Sequence, residues 1–354
     1  MVKEINIAKI KQNIYALKSK NEFKKVMYVA KADCYGLGNL TAKFIEPVTD
    51  YYAVATLEEA VVLRELGIIK PILIFLSDVK EAEKYIEYDL IANFYRIEEL
   101  TEADRIAKKA DRILKIHLPV DSGMNRFGIK NYNAFLKLLE ASTFMLNIKI
   151  ESVYTHFCST ARQNIIFQYN RFAKFVDYAK KFDSGIFYHA LSSTYAYMPI
   201  EKFGEYDMLR LGIGGILSLN SDTFDCVGIY GKILEIKELI PGESLGYNME
   251  YVAAAPTRVA IVGGGYADGI KNGFSGMHTI INDSFCKIIG RVCMDVCFVD
   301  VSRSNAKIGD KVIFAGESET KCIRIKDISD YTKISEYEIL VGFNGRIKML
   351  YLNN

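Results

Sequence analysis

The sequence predicts an α/β protein: an N-terminal (β/α)8 TIM-like barrel followed by a smaller, mainly β domain. Three observations predict it. Up to about residue 221, short apolar runs alternate with helical stretches. Several of those runs are apolar throughout, as parallel strands buried on both faces must be. Beyond that point strand-like runs are joined directly by turns, and helical periodicity is scarce. The expected domains are therefore residues 1–221, the barrel, and 222–354, the β domain.

The barrel rests on eight apolar runs, at 26–31, 51–55, 71–76, 90–95, 114–120, 148–157, 186–191 and 208–213. Eight strands separated by helices close into a barrel. An early helix over 7–18 precedes the first strand. Thr56-Leu57-Glu58-Glu59 reads as a capping box, and Gly67 stops the helix it starts. Ile165, Tyr169, Phe172, Val176 and Ala179 fall on one helical stripe that faces the sheet. In the second domain the runs 227–236, 258–262, 278–281, 287–292, 297–301 and 311–314 read as strands, with one helix over 325–332.

Composition narrows the function. Hydrophobic residues make up 50% and charged residues 25%, and the net charge is +2, as in a globular enzyme. No run of Lys and Arg suggests nucleic acid or an anionic membrane. No apolar run reaches the length of a membrane span. The polar start, Met1-Val2-Lys3-Glu4, does not read as a secretory signal, so the expectation is a cytoplasmic enzyme. Seven scattered cysteines without a C-x-x-C pair indicate neither zinc nor a disulfide framework.

In such a barrel the chemistry sits where strands end at their C-termini. Those ends read Ala30-Lys31-Ala32-Asp33-Cys34-Tyr35-Gly36-Leu37-Gly38, Asp121-Ser122-Gly123-Met124-Asn125-Arg126, Tyr154-Thr155-His156-Phe157, Ser192-Ser193-Thr194 and Leu209-Arg210-Leu211-Gly212-Ile213-Gly214-Gly215. A lysine desolvated at a strand end loses proton affinity and becomes available for Schiff-base chemistry. Glycines and Ser193 suit a phosphate held by amides and hydroxyls. Arg126, Arg210 and His156 can orient a charged ring. Alone, each has a blander reading: a solvated lysine, a structural arginine, a satisfied buried histidine. Their force lies in falling at one end of one barrel.

At these residues the sequence resembles the alanine racemase family, fold type III of the pyridoxal-phosphate enzymes. The block 30–38 matches, followed in order by 121–128, 154–157, 210–213, Gly265-Tyr266-Ala267-Asp268-Gly269 and Gly290-Arg291-Val292-Cys293-Met294-Asp295. The resemblance implies a cytoplasmic isomerase with pyridoxal 5'-phosphate as cofactor, racemising L- and D-alanine, with D-alanine destined for peptidoglycan. Lys31 would hold the cofactor and act as one base, with Tyr266 as the base on the opposite face. Tyr35, Ser193, Gly212 and Ile213 would bind the phosphate. Arg210 would meet the pyridine nitrogen, with His156 beside it, and Arg126 and Met294 would contact the substrate. Tyr266 and Met294 would come from the second subunit of a homodimer with shared active sites.

Three positions depart from the family pattern. Pro119 stands where a carbamylated lysine usually orients the arginine. Ser192 replaces an asparagine. Near the C-terminus, Gly345 or Phe343 falls at an entrance tyrosine. The alternatives are a racemase of serine or another amino acid, and a fold type III decarboxylase using Cys293-Met294-Asp295. The arginine at the pyridine position speaks against decarboxylation, since an arginine does not give its proton to the ring.

Overall fold

The computed structural model describes residues 1–20, 24–196, 206–218 and 222–353. It contains two compact units. One comprises Ile10–Cys34 and Asn39–Thr223; the other comprises Met1–Lys9, Tyr35–Gly38 and Phe224–Asn354.

The first unit is the barrel. Its eight strands are Lys25–Val29, Tyr51–Val54, Ile72–Ile74, Ile91–Ala92, Leu114–Pro119, Ile148–Tyr154, Phe187–His189 and Met208–Leu211. From Lys25–Val29 to Phe187–His189 consecutive strands pair in parallel, and Met208–Leu211 returns to pair with Lys25–Val29. The seam beside Phe187–His189 is closed by Asp207 N donating to Tyr188 O (3.1 Å) and Arg210 N donating to Leu191 O (3.0 Å). Strand burial is near-continuous, as two-sided cover requires.

Local signals set the helices. Thr56 and Glu59 make the reciprocal capping box at the start of Leu57–Glu65. On the long helix Arg162–Phe182 the buried positions are Ile165, Gln168, Phe172, Phe175 and Ala179. The sequence predicts Tyr169 and Val176 on that stripe. Spacings of three and four both fit a 3.6-residue turn, and contacts from elsewhere decide in favour of Gln168 and Phe175.

Below the functional end, the barrel interior holds a polar and aromatic plug. The His189 and His117 rings are fully buried, with Nε2 of one 3.3 Å from Nδ1 of the other. Tyr154 stacks on His189 at 4.7 Å. Lys25 lies over the Phe187 ring at 4.6 Å. Burial holds His117 near a pKa of about 3 and pushes His189 well below the ordinary histidine range.

The second unit is a sheet of nine strands, mostly antiparallel. Six of them, Val227–Leu239, Thr257–Gly263, His278–Ile281, Ser284–Ile289, Val296–Asp300 and Lys311–Glu317, close on themselves through the pairing of Lys311–Glu317 with Val227–Leu239. Sequence alone groups residues 1–9 and 35–38 with the barrel, but they pack here. Strand Val2–Asn6 pairs antiparallel with Val227–Leu239 and parallel with Lys348–Leu352. Lys3, fully buried, donates from Nζ to Gly36 O (2.6 Å) and Leu340 O (3.1 Å). Tyr351 OH donates to Leu37 O (3.0 Å).

Candidate active site

Lys31 stands directly after the first barrel strand, as the sequence predicts. The turn beyond it is not legible in sequence. Ala32, Asp33, Cys34 and Tyr35 have φ of 52°, 55°, 53° and 57°, and Gly36 has 77°, so the turn 32–36 is left-handed. That hand costs about 1–2 kcal/mol per L-residue, or about 4–8 kcal/mol for the four non-glycine residues. Backbone strain of this kind collects at functional sites. The turn is tied down at its start. Cys34 N donates to Ala30 O (3.0 Å), and Ala32 N donates to Glu59 Oε1 (2.6 Å). Burial first, then the charge of Arg126, lowers the Lys31 ammonium below the ordinary lysine range, and Glu59 opposes them.

Arg210 is 4% exposed at the end of Met208–Leu211. Its Nη2 donates to Thr155 O (2.7 Å) and Ala190 O (2.8 Å) and lies 3.3 Å from His156 Nδ1. Its guanidinium also sits 5.5 Å from the Tyr154 ring centroid. Because a guanidinium only donates, Nδ1 of His156 is the acceptor and the ring proton belongs on Nε2. Burial and the charges of Arg210, Arg126 and Lys31 hold His156 near a pKa of about 3, so its ring is neutral at physiological pH. Sequence reasoning missed Gln168, which fixes this loop. Its Oε1 accepts from Cys158 N (3.0 Å) and its Nε2 reaches His156 O (3.4 Å).

Ser193 is buried, and its Oγ accepts from Gly212 N (3.0 Å), leaving its own hydrogen to be donated elsewhere. Ile213 opens a 3-10 turn over Ile213–Gly215 directly after Gly212. Ser192 bridges to Arg210 at the seam. Arg126 is exposed on the loop after Leu114–Pro119, and among the described residues its guanidinium has no hydrogen-bond or ion-pair partner. That loop is shaped by Asp121 Oδ1, which accepts from Gly123 N (2.8 Å) and Asn125 N (3.0 Å). The barrel unit thus gathers Lys31, His156, Ser193, Arg210, Gly212 and Ile213 at its strand ends. Tyr35 is buried and falls in the β unit, its ring 5.8 Å from that of Tyr337.

The β unit brings the two remaining blocks together. Tyr266 N donates to Cys293 O (3.0 Å) and Ala267 N to Met294 O (3.1 Å). A Cβ on Gly265 would lie 2.3 Å from both carbonyl oxygens, so only glycine lets the two blocks approach. Arg346 locks the pair. Its Nε donates to Asp268 Oδ1 (2.8 Å) and its Nη2 to Asp295 Oδ1 (2.6 Å). Tyr266 is 46% exposed and Met294 50%. Phe343 is fully buried against Phe274, so it presents no ring at an entrance, and nothing lies within 4 Å of a Cβ built on Gly345.

A second tyrosine stands beside Tyr266. A cavity of about 470 Å3 is lined by Tyr247, Asn248, Tyr266, Asn272, Arg291 and Val292. Tyr247 is 62% exposed and flanked by positive φ at Gly246 (73°), Asn248 (57°) and Met249 (54°). Glu250 joins this turn to Arg291, accepting from Arg291 Nη1 (3.2 Å) and Asn248 Nδ2 (3.2 Å). The sequence offered one signal for it, the Gly-Tyr-Asn run at 246–248.

A parallel barrel with a desolvated lysine at one strand end and an arginine fork at another, joined in one chain to an antiparallel β unit bearing exposed tyrosines, defines a class: a barrel-type amino-acid racemase. Two family models cover nearly all of it, the alanine racemase N-terminal domain over residues 5–217 and the alanine racemase C-terminal domain over 226–351. The chain belongs to the alanine racemase family. Alanine racemase of Halothermothrix orenii is 33% identical, matching 93% of this chain and 90% of its own length. Alanine racemase of Ligilactobacillus salivarius is 31% identical, matching 98% and 96%. The crystal structure of alanine racemase from Bacillus anthracis with bound L-Ala-P superposes with a TM-score of 0.91 at 25% identity, covering 100% of this chain and 95% of that one. A histidine racemase from Leuconostoc mesenteroides has the same fold, with a TM-score of 0.88 at 24% identity over 99% and 97% of the two chains.

Proposed function

We propose that this enzyme interconverts L- and D-alanine with pyridoxal 5'-phosphate held on Lys31. The observation that carries the reading is the pairing of a lysine whose charge is disfavoured by burial with a guanidinium fixed by two carbonyls at the neighbouring strand end. The donor set suits the cofactor. Lys31 would offer an amine for its aldehyde, Arg210 would serve its ring nitrogen, and Ser193, Gly212 and Ile213 would hold its phosphate. When bound, the ring withdraws electrons from the substrate's α-carbon. Arg210 keeps its proton, so it would hold the ring nitrogen by donating a hydrogen bond and would not protonate it. Arg126, with the Met294 backbone contributed by the second subunit of the homodimer, would hold the substrate carboxylate.

Racemisation removes the α-proton from one face and returns a proton to the other, so two bases are needed. Lys31 Nζ serves one face. A tyrosine from the second subunit of a homodimer serves the other. Sequence alone assigns Tyr266. Two observations favour Tyr247: the left-handed backbone of Asn248 and Met249 directly after it, and the cation Arg291 anchored to its own turn through Glu250. Tyr266 then forms a wall of the same cavity.

The test is the purified protein with L-alanine and, separately, L-serine, read by the D-product formed. An absorbance band at about 420 nm, lost when borohydride modifies Lys31, reports the cofactor. Tyr247→Phe abolishes racemisation, and Tyr266→Phe retains most of it. The reverse result assigns the base to Tyr266. Loss in neither removes both from the chemistry.

A further inference from the structure

We propose that Glu59 is a positioning residue for Lys31, holding the start of the left-handed turn that follows the lysine. This role deepens the racemase reading and rests on it for its catalytic meaning. Glu59 is the third residue of helix Leu57–Glu65, where a capping box asks only that it reach back to the helix start. It does so with one oxygen: Oε2 accepts from Ala55 N (2.7 Å) and Thr56 N (3.4 Å). The other oxygen does something the box does not require. Oε1 accepts from Ala32 N (2.6 Å), the amide directly after Lys31. One carboxylate therefore ties the end of strand Tyr51–Val54 to the first residue of the turn after strand Lys25–Val29. Ala32 is also the first residue with positive φ, so the bond falls where the backbone changes hand.

The position has an electrostatic consequence. Lys31 is faced by Arg126 from the loop after Leu114–Pro119, by His156 after Ile148–Tyr154, and by Glu59 from its helix. His156 is neutral, and Arg126 disfavours the ammonium. Glu59 is the anion among them, and it restrains how far the lysine loses its proton. A glutamine keeps one acceptor oxygen but replaces the second with a donor and removes the charge. An aspartate keeps the charge but falls one methylene short of spanning both sets of amides.

The experiment is competitive acylation of Lys31 in the cofactor-free full-length protein at pH 8, read by mass spectrometry of the Lys31 peptide against other lysines. No substrate or cofactor is needed, so failure of the racemase reading and failure of this inference are separate results. Glu59→Gln raises the Lys31 labelling rate about three- to tenfold, because removing an opposite charge lowers the proton affinity of the amine. Glu59→Asp gives a smaller rise. Thr56→Val, which breaks the capping box but keeps Glu59, lowers stability and leaves labelling at the parent rate. In the cofactor-loaded enzyme the acid limb of the kcat profile, which reports groups in the substrate complex, moves to lower pH in Glu59→Gln and stays put in Thr56→Val. Parental labelling in a folded Glu59→Gln or Glu59→Asp protein overturns the proposal, as does an equal rise in Thr56→Val.

Discussion

The buried histidines make acid stability a direct measurement of the barrel interior. Burial holds His117 and His156 near a pKa of about 3 and His189 lower still, against an ordinary value of 6.5. A depressed histidine contributes stability that is present above 6.5 and lost as pH falls toward the folded value. At pH 5.5 an unfolded histidine is about nine-tenths protonated and a folded one of these is neutral. Unfolding at pH 5.5 should therefore take up about 2.7 protons from these three rings, with little from carboxylates, whose ordinary values lie lower. Each ring costs about 1.4 kcal/mol between pH 8 and 5.5, about 4 kcal/mol together, a large part of an ordinary folding free energy. The assay is a pH-stat record of proton uptake on guanidinium unfolding at pH 5.5. His117→Asn, which keeps a polar atom where Nδ1 faces His189, lowers the uptake by about 0.9 proton. Uptake below about one proton, or none lost in His117→Asn, would refute the claim that these rings are held neutral by burial.

Other substitutions probe the remaining geometry. Gly265→Ala places a methyl 2.3 Å from the carbonyls of Cys293 and Met294, so the two blocks must part. A displacement of about 1 Å at a catalytic position costs on the order of a hundredfold in kcat/KM, and thermal unfolding should report about 1–3 kcal/mol of overpacking. Ala32→Gly relieves one left-handed residue and stabilises by about 0.5–1 kcal/mol after glycine's own entropy cost, so Tm rises where glycine ordinarily lowers it. Thr56→Val removes half of the capping box and costs about 1 kcal/mol in urea unfolding. Arg210→Lys cannot reproduce the fork to Thr155 O, Ala190 O and His156, and should lower both cofactor retention and barrel stability.

Local chemistry determines most of what is legible in the sequence. The box at Thr56 and Glu59 and the helix Ile325–Thr332 stand where their residues indicate. The strand-end lysine, histidine and arginine sit at one end of the barrel because parallel strands order their own C-termini. The hidden features depend on distant partners or on backbone hand. Strand Val2–Asn6 is five residues long and owes its place to strands far along the chain. Gln168 reads as a polar residue beside a stripe until the loop at Cys158 supplies its partners. Nothing in Ala-Asp-Cys-Tyr announces a left-handed turn, since only glycine and, less often, Asn or Asp visit that region freely. Tyr247 escaped for the same reason, because its distinction lies in the φ of its neighbours.

The parallel pairing of Val2–Asn6 with Lys348–Leu352 has a consequence for how the molecule comes into being. As the chain leaves the ribosome, these two segments are separated by nearly all the residues described. The barrel's own strands and helices emerge complete long before the later strand exists. The earlier strand, with Ile5 and Lys3 both destined for full burial, must wait as an uncovered edge. Contacts so distant in sequence form slowly, and waiting edges invite misassembly. Completion of this sheet is thereby postponed until Lys348–Leu352 has emerged. In a nascent chain halted before residue 348, Val2–Asn6 can pair with Val227–Leu239 while its other edge stays uncovered, and protease should cut there more readily than in the full chain.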